Sequence, residues 1–250
     1  MQKICIIIPC FNEEKRLPIE EFVRFFKAEK IFDVCFVNDG STDKTINVLT
    51  NLKNRLGDKC MVIDNKKNLG KAETVRTGIL ENINKGYDYI GYFDADLATP
   101  LDELNYFLHF CDGSFKYDMI FGSRWRRIGA SITRIPSRHY VGRIFSTVVS
   151  IMLKLHIYDT QCGAKLISKK YYSIIFEKPF VSKWLFDVEL ICRAIAGFGY
   201  DNVKNSILEI PLNTWIEKGN SRIKPLYYFK APFDLLKINW KYRKRSALKV

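Results

Sequence analysis

Two carboxylates two positions apart, Asp94 and Asp96, follow the apolar run Tyr89-Ile90-Gly91-Tyr92-Phe93. The run is too short for a helix and rich in β-formers, so it reads as a buried strand. Open α/β sheets bind ligands at the carboxyl ends of their strands. Two hard oxygen ligands in that place suit a divalent cation, Mg²⁺ or Mn²⁺, and with it a phosphate-bearing substrate. The same residues would also make an acidic turn ahead of a helix begun at Pro100. Two further polar clusters end apolar runs upstream. Pro9-Cys10-Phe11-Asn12-Glu13-Glu14 closes the run from Lys3, and Asn38-Asp39-Gly40-Ser41-Thr42-Asp43 closes the run from Val34. In a parallel sheet all three clusters share one edge. There Asp39 can accept hydrogen bonds from a nucleobase, and the helix N-terminus that follows favours anions. Asp-Gly-Ser-Thr-Asp is equally ordinary turn and cap chemistry.

The elements that must hold these clusters alternate in type. Strands are expected at Lys3 to Pro9, Val34 to Asn38, Cys60 to Asp64, Asp88 to Phe93 and Asp118 to Gly122. Helices are expected at Ile19 to Lys30, Thr45 to Leu56, Gly70 to Lys85 and Leu101 to Cys111. This rhythm predicts an α/β fold, a mainly parallel sheet flanked by helices. Beyond Ser123 the pattern loosens. A long helix is expected over Ser137 to Leu155, a short strand at Lys165 to Ser168 and a helix at Phe186 to Ala196. A strand should follow at Val203 to Leu212, then a loop from Trp215 to Ile223 and a helix from Pro232. The expected organisation is one catalytic domain, 1–225, with a basic amphipathic tail, 226–250.

With 47% hydrophobic residues in 250, the chain can bury a sizeable core. Its net charge of +13 is unevenly spread. Arg124, Arg126, Arg127, Arg134, Arg138 and Arg143 fall in a stretch without acids, and from Asn220 onward Asp234 is the single acid. Such local charge implies an anionic partner: phosphate, anionic lipid or nucleic acid. Nucleic acid is disfavoured, because only Trp125 and Tyr140 interleave with the arginines as stacking groups. Seven scattered cysteines without a C-x-x-C pair read as reduced core thiols of a cytosolic compartment. No signal peptide and no run of about 20 apolar residues is visible.

In order and spacing, the blocks Ile8 to Glu14, Asn38 to Asp43, Asn68-Leu69-Gly70-Lys71 and Asp94-Ala95-Asp96 resemble the inverting glycosyltransferases of family two, which have a GT-A (Rossmann-like) fold. Later blocks continue the likeness: Gly122-Ser123-Arg124, Asp159-Thr160-Gln161-Cys162-Gly163-Ala164-Lys165 and Phe186-Asp187-Val188-Glu189-Leu190. These resemble the polyprenyl or dolichyl-phosphate β-glucosyltransferase branch, and the likeness spans about Lys3 to Arg222. It implies that Pro9, Asn12, Glu13 and Asp39 hold the nucleoside of a nucleotide sugar. Lys71 would lie near the base or diphosphate, Asp94 would contact ribose or metal-bound water beside the cation that Asp96 binds directly, and Arg222, on a closing loop, would reach a phosphate. Arg124 and Arg138 would bind the lipid phosphate, with Asp159 and Gln161 beneath the acceptor. Mannosyl-type relatives carry a Gln where this chain has Ala98, which shifts the expected donor from GDP-mannose to a UDP-hexose.

The mechanism depends on the acceptor. A phosphomonoester is largely ionised at neutral pH and attacks without a strong base. A hydroxyl needs a positioned carboxylate. Asp187 and Glu189, two apart on a helix, do not share a face. Asp187 is the candidate for an acceptor-side or base-like role, or else pairs with an arginine. Two segments could touch a membrane: the apolar helix after Arg143, and the tail with Phe233, Leu236 and Trp240 beside Lys241, Arg243, Lys244 and Arg245. The expected protein is therefore a metal-dependent transferase, peripheral on the cytoplasmic face of a membrane. It would move a hexose from UDP-hexose to a polyprenyl phosphate. The alternative is a family-two enzyme acting on a hydroxyl of a lipid-linked or cell-surface glycan.

Overall fold

The computed structural model describes residues 2–111, 117–219 and 226–246, the side chains of 226–229 and 243–246 excepted. Its first half runs β1 (Ile4–Cys10), α1 (Ile19–Ala28), β2 (Phe32–Asn38), α2 (Thr45–Leu56), β3 (Cys60–Asp64), α3 (Lys71–Leu80), β4 (Tyr89–Phe93) and α4 (Glu103–Leu108). Then come β5 (Met119–Ser123), β6 (Ser131–Thr133), α5 (Pro136–Leu153), β7 (Ala164–Ser168), α6 (Tyr172–Phe176), α7 (Phe186–Phe198) and α8 (Tyr200–Ser206). The chain continues through β8 (Ile207–Pro211), β9 (Thr214–Ile216) and α9 (Leu226–Ser246).

Seven strands form one sheet in the order β3-β2-β1-β4-β7-β5-β8, and β6 pairs with β9 in a second, small sheet. Every pairing in the large sheet is parallel except those of β7, which runs antiparallel to both β4 and β5. Alternate residues of β1 serve the two faces, as the period of a strand requires. Ile4, Ile6 and Ile8 pack with Phe22, Phe26 and Leu52 of α1 and α2. Cys5 and Ile7 pack with Val75 and Ile79 of α3, in a layer continued by α5, α6, α7 and α9. The chain winds outward from β1 to β3 and then returns to place β4 on the other side of β1. That reversal opens a crevice beyond the carboxyl ends of β1 and β4, where such sheets take their ligands.

β7 lies between β4 and β5, so the carboxylate pair after β4 and Arg124 after β5 stand on either side of it. Three local expectations are corrected. Residues 200–206 are helical, and the strand begins only at Ile207. Val203 and Ile210 are buried from two different elements, so buried apolar residues continue across the boundary and the apolar pattern did not mark it. Trp215 belongs to β9, not to a loop. The last helix begins before Pro232 and carries that residue inside it. Packing stabilises it: Leu235, Ile238 and Tyr242 are buried against the α7 layer. Within the segment read as a tail, Asp234, Leu235, Ile238 and Tyr242 thus pack against the body of the protein.

Candidate active site

Asp94 and Asp96 sit directly beyond β4, and the turn after them is strained. Leu97 has φ +49, a left-handed value uncommon for a side chain of this type. The strain folds the Ala98 amide back onto Asp96 Oδ1 at 3.0 Å. β9 braces this turn from outside, where the Ile216 amide donates to the Ala98 carbonyl at 2.9 Å. On its inner side Asp94 Oδ1 meets Lys71 Nζ at 2.5 Å. Asp94 Oδ2 lies over Gly163, at the start of β7. A Cβ on Gly163 would stand 2.0 Å from that oxygen, so only glycine leaves room for Asp94.

Burial, and then the charge of Asp94, raise the Asp96 carboxyl above its ordinary pKa, against the pull of the Ala98 amide, Lys71 and Arg16. Two crowded carboxylates, one of them only partly screened by Arg16 at 3.8 Å, form a donor set that fits a hard divalent cation. No group of three or more metal-binding side chains occurs among the described residues. Further ligands would therefore come from a bound diphosphate and water. Burial disfavours the Lys71 ammonium, but Asp94, Asp187 and Asp96 outweigh it and raise its pKa.

The loops after β1 and β2 lock together beside this pair. Asn12, at φ +50, donates its amide to Ser41 Oγ at 2.9 Å, and its Oδ1 accepts the Thr42 amide at 2.8 Å. Glu13 is buried, with its amide on Thr45 Oγ1 at 2.7 Å and its carboxylate 3.7 Å from Arg16. Pro9 is a half-buried residue of β1. The two Asp39 oxygens accept the Leu69 and Gly70 amides at 2.7 and 2.9 Å, joining β2 to the start of α3. Each oxygen keeps acceptor capacity for a ligand.

On the far side of β7 the sheet edge is cationic. Arg124 clasps Asp159 through two bonds of 2.6 and 2.7 Å, and its guanidinium lies 5.4 Å from the centre of the Trp215 ring. Burial alone would raise the Asp159 carboxyl, but Arg124 and Arg134 hold it far below the usual carboxylate range. The Gln161 amide donates to Asp159 at 3.1 Å. Arg138 is ion-paired with Glu217, which also accepts the Ile135 amide. Arg134 stands differently: half-buried, it has no acid bonded to it among the described residues. Burial and the neighbouring Arg124 lower its pKa. His139 is pushed below its ordinary value by burial and by Arg134, Arg126 and Arg143. In both, burial is the larger cause and the like charge of neighbouring arginines comes next, offset in part at Arg134 by Asp159 and Glu217.

Asp187 and Glu189 are separated as their spacing requires. Glu189 is fully buried with Arg193 and Tyr242. Asp187 forms the floor beneath Lys71: the Lys165 ammonium lies 2.7 Å from Asp187 Oδ1, and the Tyr92 hydroxyl donates to the same oxygen. Lys165 has no exposed surface and also donates to the Cys162 carbonyl at 2.5 Å.

The glycosyl transferase family 2 profile matches residues 5–176. The chain belongs to glycosyl transferase family 2. This family-2 chain is a nucleotide-sugar-dependent glycosyltransferase. It is 30% identical over 244 residues to a dolichyl-phosphate beta-glucosyltransferase of Trichomonas vaginalis, covering 93% of this chain and 69% of the relative. It is also 30% identical to the human dolichyl-phosphate beta-glucosyltransferase over 259 residues, 96% of this chain and 76% of that protein. A glucosyl-3-phosphoglycerate synthase of Mycobacterium tuberculosis, solved with Mn²⁺, UDP-glucose and phosphoglyceric acid, has the same fold. Its TM-score is 0.65 at 15% identity, over 95% of this chain and 80% of that one.

The fold thus gathers Asn12, Glu13, Asp39, Lys71, Asp94 and Asp96 beyond the ends of β1, β2 and β4, keeps Pro9 within β1, buries Asp187 with Lys165 and Tyr92, and groups Arg124, Asp159, Gln161 and Arg138 beyond β7. Arg222 lies outside the described residues. Sequence reasoning passed over three residues. Arg134 was one of six arginines with nothing to single it out. Lys165 and Tyr92 lay inside strand patterns, where only a polar residue in an otherwise apolar run hinted at a partner.

Proposed function

We propose that the enzyme transfers glucose from UDP-glucose to a polyprenyl phosphate of the dolichyl type, with inversion at the anomeric carbon. The observation that carries this reading is the contrast between Asp187 and Arg134. Asp187 is buried and already receives a lysine and a phenol, so it is poorly placed to take a proton from a hydroxyl. Arg134 is half-buried with no acid bonded to it among the described residues, which leaves its guanidinium available to an anion. An acceptor that brings its own ionised nucleophile fits both facts.

In this reading Asp39 and the β1 and β2 loops hold the uridine, and Lys71 sits against the sugar-diphosphate side. Asp94 and Asp96 hold the divalent cation, which when bound supplies charge neutralisation for the leaving diphosphate. Arg134, with Arg124 kept in register by Asp159, orients the lipid phosphate for attack on the face opposite the leaving group. Asp187 keeps Lys71 charged. The base-like role expected of it gives way to a positioning role. Ala98 offers no side-chain ligand, which favours UDP-hexose over GDP-mannose. The names of the relatives favour glucose and dolichyl phosphate, and the UDP-glucose and Mn²⁺ held by the solved neighbour favour this donor and cation.

The membrane face would be the exposed apolar stripe of α5, Tyr140, Ile144, Val148 and Ile151, together with Phe233, Leu236 and Trp240 of α9. These residues recur at helical spacing and flank basic segments, as interfacial helices do. No helix among the described residues is long and apolar enough to cross a membrane. All seven cysteines are buried and unbridged, in keeping with a reducing compartment on the cytoplasmic side.

The deciding assay incubates the protein with Mg²⁺ or Mn²⁺ and UDP-glucose or GDP-mannose, adding polyprenyl phosphate or the free polyprenol. Release of UDP that requires the phosphate is expected. Equal release with polyprenol would favour the hydroxyl-acceptor alternative, and no acceptor-dependent release from either donor would sink the proposal.

A further inference from the structure

The segment from Phe176 to Leu185, which joins α6 to α7, is pinned along most of its length. Arg76 Nε donates to the Phe176 carbonyl and Arg76 Nη2 to the Glu177 carbonyl, both at 2.8 Å. The Phe180 amide donates to Glu73 at 2.7 Å and the Val181 amide to Glu189 at 2.7 Å. Ser182 Oγ donates to Asp234 of α9 at 2.8 Å and accepts the Leu185 amide at 3.2 Å. A connection held at so many points presents its next side chain in a defined place.

That side chain is Lys183, and its stem lies across Gly70. A Cβ on Gly70 would stand 3.0 Å from Lys183 Cδ and 3.4 Å from Cγ. Gly70, at φ +88, has a backbone that other residues rarely adopt. It precedes α3, its amide is held by Asp39, and Lys71 follows it with its ammonium on Asp94. The Lys183 stem therefore lies against the residue that joins the Asp39 contact to Lys71 and its Asp94 pair. Its side chain is exposed, and no acid is bonded to it among the described residues. Its neighbour on the cleft wall, Lys71, is already committed to Asp94.

We propose that Lys183 is a donor-binding residue whose ammonium grips the diphosphate of the nucleotide from the α7 side of the cleft. This rests on the donor placement proposed above. A compact, strongly hydrated ammonium on a packed stem suits a phosphate oxygen, and the N-terminus of α3 adds to the same field. The docking of α9, through Asp234 and Ser182, would then hold part of the donor site in shape.

The test is calorimetric titration of the full chain, in Mg²⁺, with UDP and with uridine, for wild type, Lys183→Met and Lys183→Arg. Met keeps the stem against Gly70 and removes only the charge. Lys183→Met should bind UDP about tenfold more weakly, as expected for loss of one charge-assisted contact. It should bind uridine as wild type does, and Lys183→Arg should recover most of the UDP affinity. In turnover the KM for the donor should rise while the KM for the lipid phosphate holds. Wild type that binds UDP while Lys183→Met binds it equally well would overturn the role of Lys183 and leave the donor reading standing. An equal loss for uridine would also overturn it, since the contact would then not be to phosphate. Wild type that binds no UDP would overturn the donor reading and this proposal together.

Discussion

Replacing Asp159 with Asn should destabilise the protein strongly at neutral pH and progressively less in acid. Both side chains of the Arg124–Asp159 pair are largely buried, at 14% and 7% exposure. Asp159 accepts two guanidinium bonds, the Arg124 amide at 3.2 Å and the Gln161 amide at 3.1 Å. Removing its charge leaves the guanidinium buried without a counter-ion. Breaking one side of a buried pair costs about 3–5 kcal/mol. At roughly 2–4 °C per kcal/mol for a domain of this size, the melting midpoint should fall by about 10 °C. The pH dependence has a fixed sign, because the folded-state pKa of Asp159 is depressed. The advantage of wild type over Asp159→Asn is complete above the unfolded carboxylate value of about 3.9 and shrinks as pH falls below it. Urea unfolding of wild type, Asp159→Asn, Arg124→Met and the pair Arg124→Met with Asp159→Leu, each across acidic and neutral pH, reads both effects. The double variant should cost far less than the sum of the single ones, since two apolar groups leave no orphan charge. Additive costs, or a difference that grows in acid, would refute the reasoning.

Three further outcomes follow from the same geometry. Gly163→Ala should abolish most activity while shifting the melting midpoint little, because the new methyl displaces the Asp94 side chain rather than backbone; an active Gly163→Ala enzyme would show that Asp94 need not sit there. Arg134→Gln should raise the KM for polyprenyl phosphate about tenfold with the donor KM unchanged, as removal of one charged phosphate contact predicts; steady-state kinetics with each substrate varied in turn would detect a donor effect instead. Ile144→Ser with Ile151→Ser should reduce co-sedimentation with anionic vesicles without unfolding the protein, since both side chains are mostly exposed, at 68% and 73%. Unaltered vesicle binding would move the membrane face elsewhere.

Much of the crevice was legible before any coordinates. The strands are short apolar runs that end in polar clusters, and a parallel β-α rhythm places those ends on one edge. That logic locates Asp39, Asp94 and Asp96 without packing information. It fails where the partner is distant in sequence. The Arg124–Asp159 clasp spans thirty-five positions, and the bond from Ser182 to Asp234 spans fifty-two. No local period records either. The direction of β7 was equally hidden, because a buried strand has the same apolar pattern whichever way it runs.

By itself, then, the sequence determined the strand ends, their carboxylates and the local excess of arginine, since these depend on neighbours along the chain. Tertiary structure decided which charges remain available. Six arginines look alike in a row, yet folding pairs Arg124 with Asp159 and Arg138 with Glu217, and leaves Arg134 half-buried with no acid bonded to it among the described residues. It likewise spends Asp187 on Lys165 and Tyr92. The chemistry a side chain can perform depends on its residual charge and solvation, and only the folded chain brings together the groups that set them.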